Sequence, residues 1–116
     1  HSLLYPERGA CVCEPLDFTK AVSIDFAPPD TDRFPCLRHA YNALKKGGTA
    51  TAVFNASNEV AVAEFIKGRL PWIKIADVIE KTLDAVETKD PQTLDDILAD
   101  DALARIRAAE IIAAMA

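Results

Sequence analysis

The segment from Ala56 to Lys67 is apolar almost all the way round a helix, and no other feature restricts the fold as much. Only Ser57, Glu64 and Lys67 form a narrow polar strip along it, and Gly68 ends it. Such a helix is buried on nearly every side, so it belongs at the centre of its domain. Three side chains interrupt the pattern. Asn55, Asn58 and Glu59 share a sector with Val62 and Ile66, where an unpartnered polar group costs about 1–3 kcal/mol.

The other helices supply the surroundings. Pro35 suits a first helical turn; Leu37, Ala40, Tyr41 and Leu44 follow at helical spacing, and Gly47-Gly48 gives a stop. His39 lies about 200° around this helix from Leu37, which predicts a solvent-facing imidazole. From about Ile73 to Val86, Ile75, Val78, Ile79, Thr82, Leu83 and Val86 take one half of the wheel. Lys74, Asp77, Glu80, Lys81, Asp84 and Glu87 take the other, as on a surface helix with one face on a core. Pro91 breaks the chain and Thr93 is a good N-cap. Asp100 could cap a second start, leaving 94–99 as a separate turn. The last stretch should turn Leu103, Ile106, Ala109, Ile112 and Ala113 inward.

Residues 1–30 differ. They hold four of the seven prolines and no helical period. Val22, Ile24 and Phe26 alternate with Ser23 and Asp25, which predicts one short strand near 22–27 that Pro28-Pro29 terminates. A lone strand is unstable in water, so this arm must pair with or lie across something else. The fold expected is mainly α: a four-helix bundle over 31–116, able to fold by itself on buried Leu, Ile and Phe, preceded by an extended arm over 1–30.

Composition narrows the function classes. With 116 residues there is room for one domain, and 50% hydrophobic with 27% charged residues is ordinary for a soluble globular chain. No apolar run is long enough for a membrane span. The start, His1 to Pro6, has no signal-peptide pattern and no methionine, as expected of an excised piece. Thirteen basic against 18 acidic residues leave a net charge of −5, which argues against nucleic acid as partner. Cys11, Cys13 and Cys36 are an odd set without further ligands nearby, which reads as incidental thiols in a reducing compartment.

Sites of chemistry are sparse. The four glycines make neither a dinucleotide fingerprint nor a P-loop. Asp95-Asp96 and Asp100-Asp101 read as helix caps. Asn55-Ala56-Ser57 matches a glycosylation acceptor by chance. Asn55, Asn58 and Glu59 remain, either as a ligand, metal or small-molecule contact or as a buried network tying the central helix to a loop or the arm. The second reading is preferred, because no charged partner lies nearby in sequence.

Several motifs carry a resemblance. Pro15-Leu16-Asp17-Phe18, Phe26-Ala27-Pro28-Pro29-Asp30 and Arg33-Phe34-Pro35-Cys36-Leu37-Arg38 resemble the linker and first C-terminal helix of 1-deoxy-D-xylulose 5-phosphate reductoisomerases. Phe54 to Ala63, reading FNASNEVAVA, resembles that family's most recognisable C-terminal motif. Trp72 and Ile75 match positions before the third helix, and Tyr5-Pro6-Glu7-Arg8 resembles the end of the preceding catalytic domain. One departure falls at Ile73, where relatives often carry a capping Ser or Thr.

The resemblance implies part of an oxidoreductase. That family converts 1-deoxy-D-xylulose 5-phosphate to 2-C-methyl-D-erythritol 4-phosphate in the non-mevalonate (MEP) route to isoprenoids, with NADPH and Mg2+ or Mn2+. Its cofactor, metal and phosphate residues lie upstream of Tyr5, so no catalytic, cofactor-binding or metal residue is expected here. Implied partners are the catalytic domain and a second copy of the parent, in the cytoplasm or a plastid-type organelle. The alternative is a free-standing helical module that adds its arm as a strand to a partner.

Overall fold

The computed structural model describes residues 5–7, 9–10, 13, 16–21 and 23–115. The readings that rest on His1, Arg8, Cys11, Pro15 and Val22 lie outside the described residues. Among those described, four α-helices follow one another: α1 (Pro35–Lys46), α2 (Ala50–Ile66), α3 (Ile75–Ala85) and α4 (Leu94–Ala113). A 3₁₀ turn over Trp72–Lys74 leads into α3. The mainly helical expectation holds.

The strand expected near 22–27 does not form among the described residues: 23–27 have no ladder, and Phe26 is 91% exposed. A ladder needs a second strand, and no other described segment is a strand. Asp30 converts this arm into helix. Its carboxylate accepts from the backbone N–H groups of Arg33 (2.8 Å) and Asp32 (3.1 Å), and Pro35 occupies the first helical turn.

α1 is turned differently from its leucine pattern. His39 is only 5% exposed and is buried with Ala43, while Tyr41 (64%) and Leu44 (67%) face outward. The helix lies close against α2 and α3, and a small Ala43 with a flat imidazole fits that gap better than Leu or Tyr. Gly47, at φ +73°, ends the helix and donates to the Ala43 carbonyl at 3.1 Å.

α2 begins at Ala50, earlier than the apolar run alone suggested, and packs against α1, α3 and α4. Its central place was legible, but its rotation was not. Ser57 is buried rather than solvated, its hydroxyl donating to the Phe54 carbonyl at 2.9 Å. Phe65 and Ile66 are exposed instead. Beyond the helix, Gly68 at φ +73° lets its N–H reach Phe65 O and the Arg69 N–H reach Glu64 O, both at 2.9 Å. The Arg69 guanidinium also holds the Glu64 carboxylate, Nη2 to Oε1 at 2.7 Å, and brings its pKa down to about 2.

α3 matches its pattern closely. Ile75, Val78, Ile79 and Thr82 are buried, followed by Val86, and the charged half is outside apart from a partly covered Asp77. No side chain caps its start: Lys74 holds the N-cap position, and Ile73 lies within the preceding 3₁₀ turn. α4 is one continuous helix, so 94–99 is not a separate turn. Thr93 caps it in a reciprocal box: Asp96 N–H donates to Thr93 Oγ1 at 3.3 Å, and Thr93 N–H donates to Asp96 Oδ2 at 2.9 Å.

The inward face of α4 is Ala104, Ala108 and Ile112, whereas Leu103, Ile106, Ala109 and Ala113 point out. Of the residues expected inward, only Ile112 is there. Ala56 and Ala61 of α2 are also fully buried. Alanine on both helices permits a close α2–α4 approach that bulkier Leu103 and Ile106 would block. The core is accordingly Val, Ile and Ala with Leu70, rather than the Leu, Ile and Phe expected.

The α1–α2 turn is fixed by a close approach. Gly48 sits at φ +56°, and a Cβ there would lie 2.5 Å from the Lys89 carbonyl oxygen, whereas Gly68 has open space around it. Gly48→Ala is therefore expected to destabilise by clearly more than Gly68→Ala, which meets only the left-handed backbone cost of about 1–2 kcal/mol. Chemical denaturation of the two variants measures the difference, and equal losses would contradict it.

Candidate functional site

Of the three polar residues singled out, two are exposed rather than buried. The Asn55 amide donates to Glu59 Oε1 at 3.1 Å, one helical turn along the surface of α2. Glu59 Oε2 accepts from Arg105 Nη2 of α4 at 2.7 Å. Arg105 is shared, since its Nε and Nη2 also donate to the two carboxylate oxygens of Asp101 at 2.7 and 3.2 Å. The hydrogen bond from Arg105, reinforced by that from Asn55, holds the Glu59 carboxyl below the usual glutamate range. Two carboxylates hold the Arg105 pKa above its ordinary value. The cluster therefore ties α2 to α4.

Sequence reasoning missed Arg105, 46 positions away from Glu59. Its i,i+4 spacing from Asp101 was a usable signal for the local pair, though not for the contact across helices.

Asn58 stands apart from this network. It is half-buried and, with Phe34, Cys36, Val62, Trp72 and Ile73, lines a groove of about 650 Å³ between the start of α1, α2 and the 3₁₀ turn. Phe34 and Trp72 meet edge to face, with centroids 6.4 Å apart and planes at 69°, and the Arg33 guanidinium lies 5.5 Å from the Phe34 ring centre. Burial in the groove wall pushes the Cys36 thiol pKa up, the reverse of what a reactive thiolate needs.

A second feature was also missed. Thr49 and Asp100 are both buried, and Thr49 Oγ1 donates to Asp100 Oδ2 at 2.7 Å. The Thr49 N–H donates to Lys89 O at 3.0 Å, and Lys89 N–H donates back to Thr49 Oγ1 at 3.3 Å. Lys89 Nζ pairs with Asp100 Oδ1 at 3.4 Å. Asp100 is thus an interior anchor of α4 rather than a cap, and Asp101 is Arg105's partner rather than a cap. Asp96 does cap, accepting the Gln92 and Thr93 N–H groups, and those bonds lower its pKa. His39 lines a smaller crevice of about 160 Å³ between α1 and α3, beside Asn42, Lys46, Glu80 and Asp84.

Among the described residues no three His, Cys, Asp or Glu side chains come together as a metal would require, so this donor set does not fit a catalytic divalent ion. Among the described residues no helix is long and apolar enough to cross a membrane. The geometry defines a small helical domain whose polar contacts join its helices to one another.

The family model for the DXP reductoisomerase C-terminal domain matches residues 1–107, and the chain belongs to that family. The 1-deoxy-D-xylulose 5-phosphate reductoisomerase of Nitrosospira multiformis is 47% identical over 116 residues, all of this chain and 29% of the relative. That of Burkholderia multivorans is 48% identical over 113 residues, 97% of this chain and 28% of the relative.

Among solved structures, the Zymomonas mobilis reductoisomerase in complex with NADPH aligns with a TM-score of 0.85 at 44% identity, covering 97% of this chain and 30% of that one. A DOX-P reductoisomerase in complex with NADPH, fosmidomycin and magnesium aligns at 0.86 and 31% identity, covering 99% of this chain and 30% of that one. The chain therefore spans under a third of the length of the relatives it matches.

The Glu59 contact gives a pH test. Its folded pKa is depressed, so the contact stabilises above the unfolded glutamate value of about 4.3 and is lost as pH falls through the folded value. Carboxyl ¹³C NMR should find Glu59 titrating below about 4.3, and Arg105→Gln should raise its midpoint toward that value. A midpoint unmoved by Arg105→Gln would contradict the assignment.

Proposed function

We propose that this chain is the linker and C-terminal helical domain of a 1-deoxy-D-xylulose 5-phosphate reductoisomerase, with residues 1–30 as the arm and 31–116 as the domain. In that reading it braces the catalytic part of an oxidoreductase. The parent converts 1-deoxy-D-xylulose 5-phosphate to 2-C-methyl-D-erythritol 4-phosphate with NADPH and a divalent metal, in the cytoplasm, as a homodimer. NADPH and metal supply hydride and Lewis-acid chemistry in the rest of the parent, and this domain holds neither.

The observation that carries the reading is the conjunction of a whole-chain family match with polar side chains engaged between helices. Glu59 and Arg105 join α2 to α4, and Asp100 joins α4 to the turn before α2 and the loop after α3. Of Asn55, Asn58 and Glu59, expected as one structural polar cluster, Asn55 and Glu59 take that role on this reading through Arg105, while Asn58 stands apart. A free-standing interaction module is less favoured, because the resemblance runs in order along the arm as well as the helices.

The purified 116-residue chain should show a helical circular-dichroism spectrum, no NADPH binding by calorimetry and no turnover of 1-deoxy-D-xylulose 5-phosphate with NADPH and Mg2+. Reductase activity from this chain alone would overturn the proposal.

A further inference from the structure

α1 turns its polar stripe, not its leucine stripe, toward α3. His39, Asn42 and Lys46 recur at i, i+3 and i+7 on one face of α1, and Glu80 and Asp84 at i and i+4 on α3. Between them lies the crevice of about 160 Å³. Among the described residues, none of these five side chains takes part in a side-chain hydrogen bond or ion pair. His39 matters most. It is only 5% exposed, yet no buried side-chain nitrogen is orphaned among the described residues, so its ring nitrogens open onto the crevice. A ring nitrogen there can donate or accept.

The two walls differ in sign. α1 contributes the Lys46 ammonium and the Asn42 amide and carries no acidic residue, whereas α3 contributes two carboxylates one turn apart. A ligand with a single charge meets one favourable wall and one opposed wall. A carboxylate and an ammonium on one small molecule satisfy both through charge-assisted hydrogen bonds. The volume corresponds to about five waters at ~30 Å³ each, too little for a peptide segment. The donors do not converge as a metal requires. We propose that this crevice binds a free α-amino acid with a short side chain. Its carboxylate lies against Lys46 and Asn42, its ammonium against Glu80 and Asp84, and a His39 ring nitrogen closes the floor with a hydrogen bond. The proposal is independent of the brace reading above.

Calorimetric titration of the full-length parent enzyme with L-alanine tests it, with acetate, ethylammonium and L-tryptophan as probes of charge and size. L-Alanine should bind in the millimolar range, and the other three at least about tenfold more weakly. Lys46→Gln and Asp84→Asn, both at exposed positions, should each raise the L-alanine Kd about tenfold or more. Lys81→Gln, on α3 but outside the crevice, should leave it unchanged. No binding of L-alanine in the millimolar range would overturn the proposal. Binding that survives both Lys46→Gln and Asp84→Asn would place the amino acid elsewhere and overturn it as well. Equal affinity for acetate or for ethylammonium would reduce the crevice to a simple anion or cation site, and equal affinity for L-tryptophan would contradict its size; each overturns the assignment.

Discussion

The buried contact among Thr49, Lys89 and Asp100 sets the relation of three chain segments that are distant in sequence. Thr49 lies in the turn before α2, Lys89 in the loop after α3 and Asp100 within α4. A carboxylate in an interior position persists only when its oxygens are engaged, and here a hydroxyl and an ammonium engage both. Gly48 must be glycine for the turn to come this near to Lys89 O. Once those segments are pinned, Ala56 and Val53 of α2 meet Ala104 of α4 and Val86 in one apolar cluster. The second cluster, Ile75, Val78, Ile79, Leu70 and Ile112, follows along the same helices.

In this architecture several charged side chains are engaged with one another. Arg105 is committed to Glu59 and Asp101, Asp96 to the N-terminus of α4, and Glu64 to Arg69. Charged groups that neutralise one another at helix junctions stabilise geometry and present little field to a ligand. Beside the charged outer half of α3, large apolar side chains also face outward at the Phe34–Trp72 groove, on the stripe of α1 and on the outer side of α4. Those surfaces suit a domain that works by being held against another body.

Much of this was legible in the sequence where one physical rule governed a segment. α3 had a clean charged half and an apolar half, and Ile75, Val78, Ile79, Thr82 and Val86 are buried as expected, joined by Ala76. Thr93, Pro35, Gly47 and Gly68 mark boundaries by local backbone chemistry, which needs no tertiary information. The rotation of the other helices was not legible, for a common reason. In α1 and α4 the side chains that face the core are small, so close helix approach outweighed hydrophobicity, and Leu44 and Ile106 were left outside. For α2, apolar on all sides, periodicity could not say which residues would be least covered.

The candidate site shows the same division. Asn55, Asn58 and Glu59 stood out as polar intrusions, and Glu59 does reach another helix. Arg105 and Asp100 could not be assigned, because each pairs across about 50 residues or fewer with a group whose position depends on the finished fold. The resemblance to reductoisomerases located the chain in its family where residue chemistry alone offered only a helical bundle.

On the proposed reading, the buried Thr49–Asp100 contact keeps these helices in the shape that braces the parent enzyme, apart from its reacting groups. Thr49→Val in the full-length parent removes that contact from a fully buried hydroxyl, a loss of about 1–3 kcal/mol. Steady-state kinetics and thermal inactivation of this variant are the direct measurement. The result expected is a lower inactivation temperature with unchanged KM for both NADPH and substrate at 25 °C. A raised KM for either, with thermal stability intact, would contradict it.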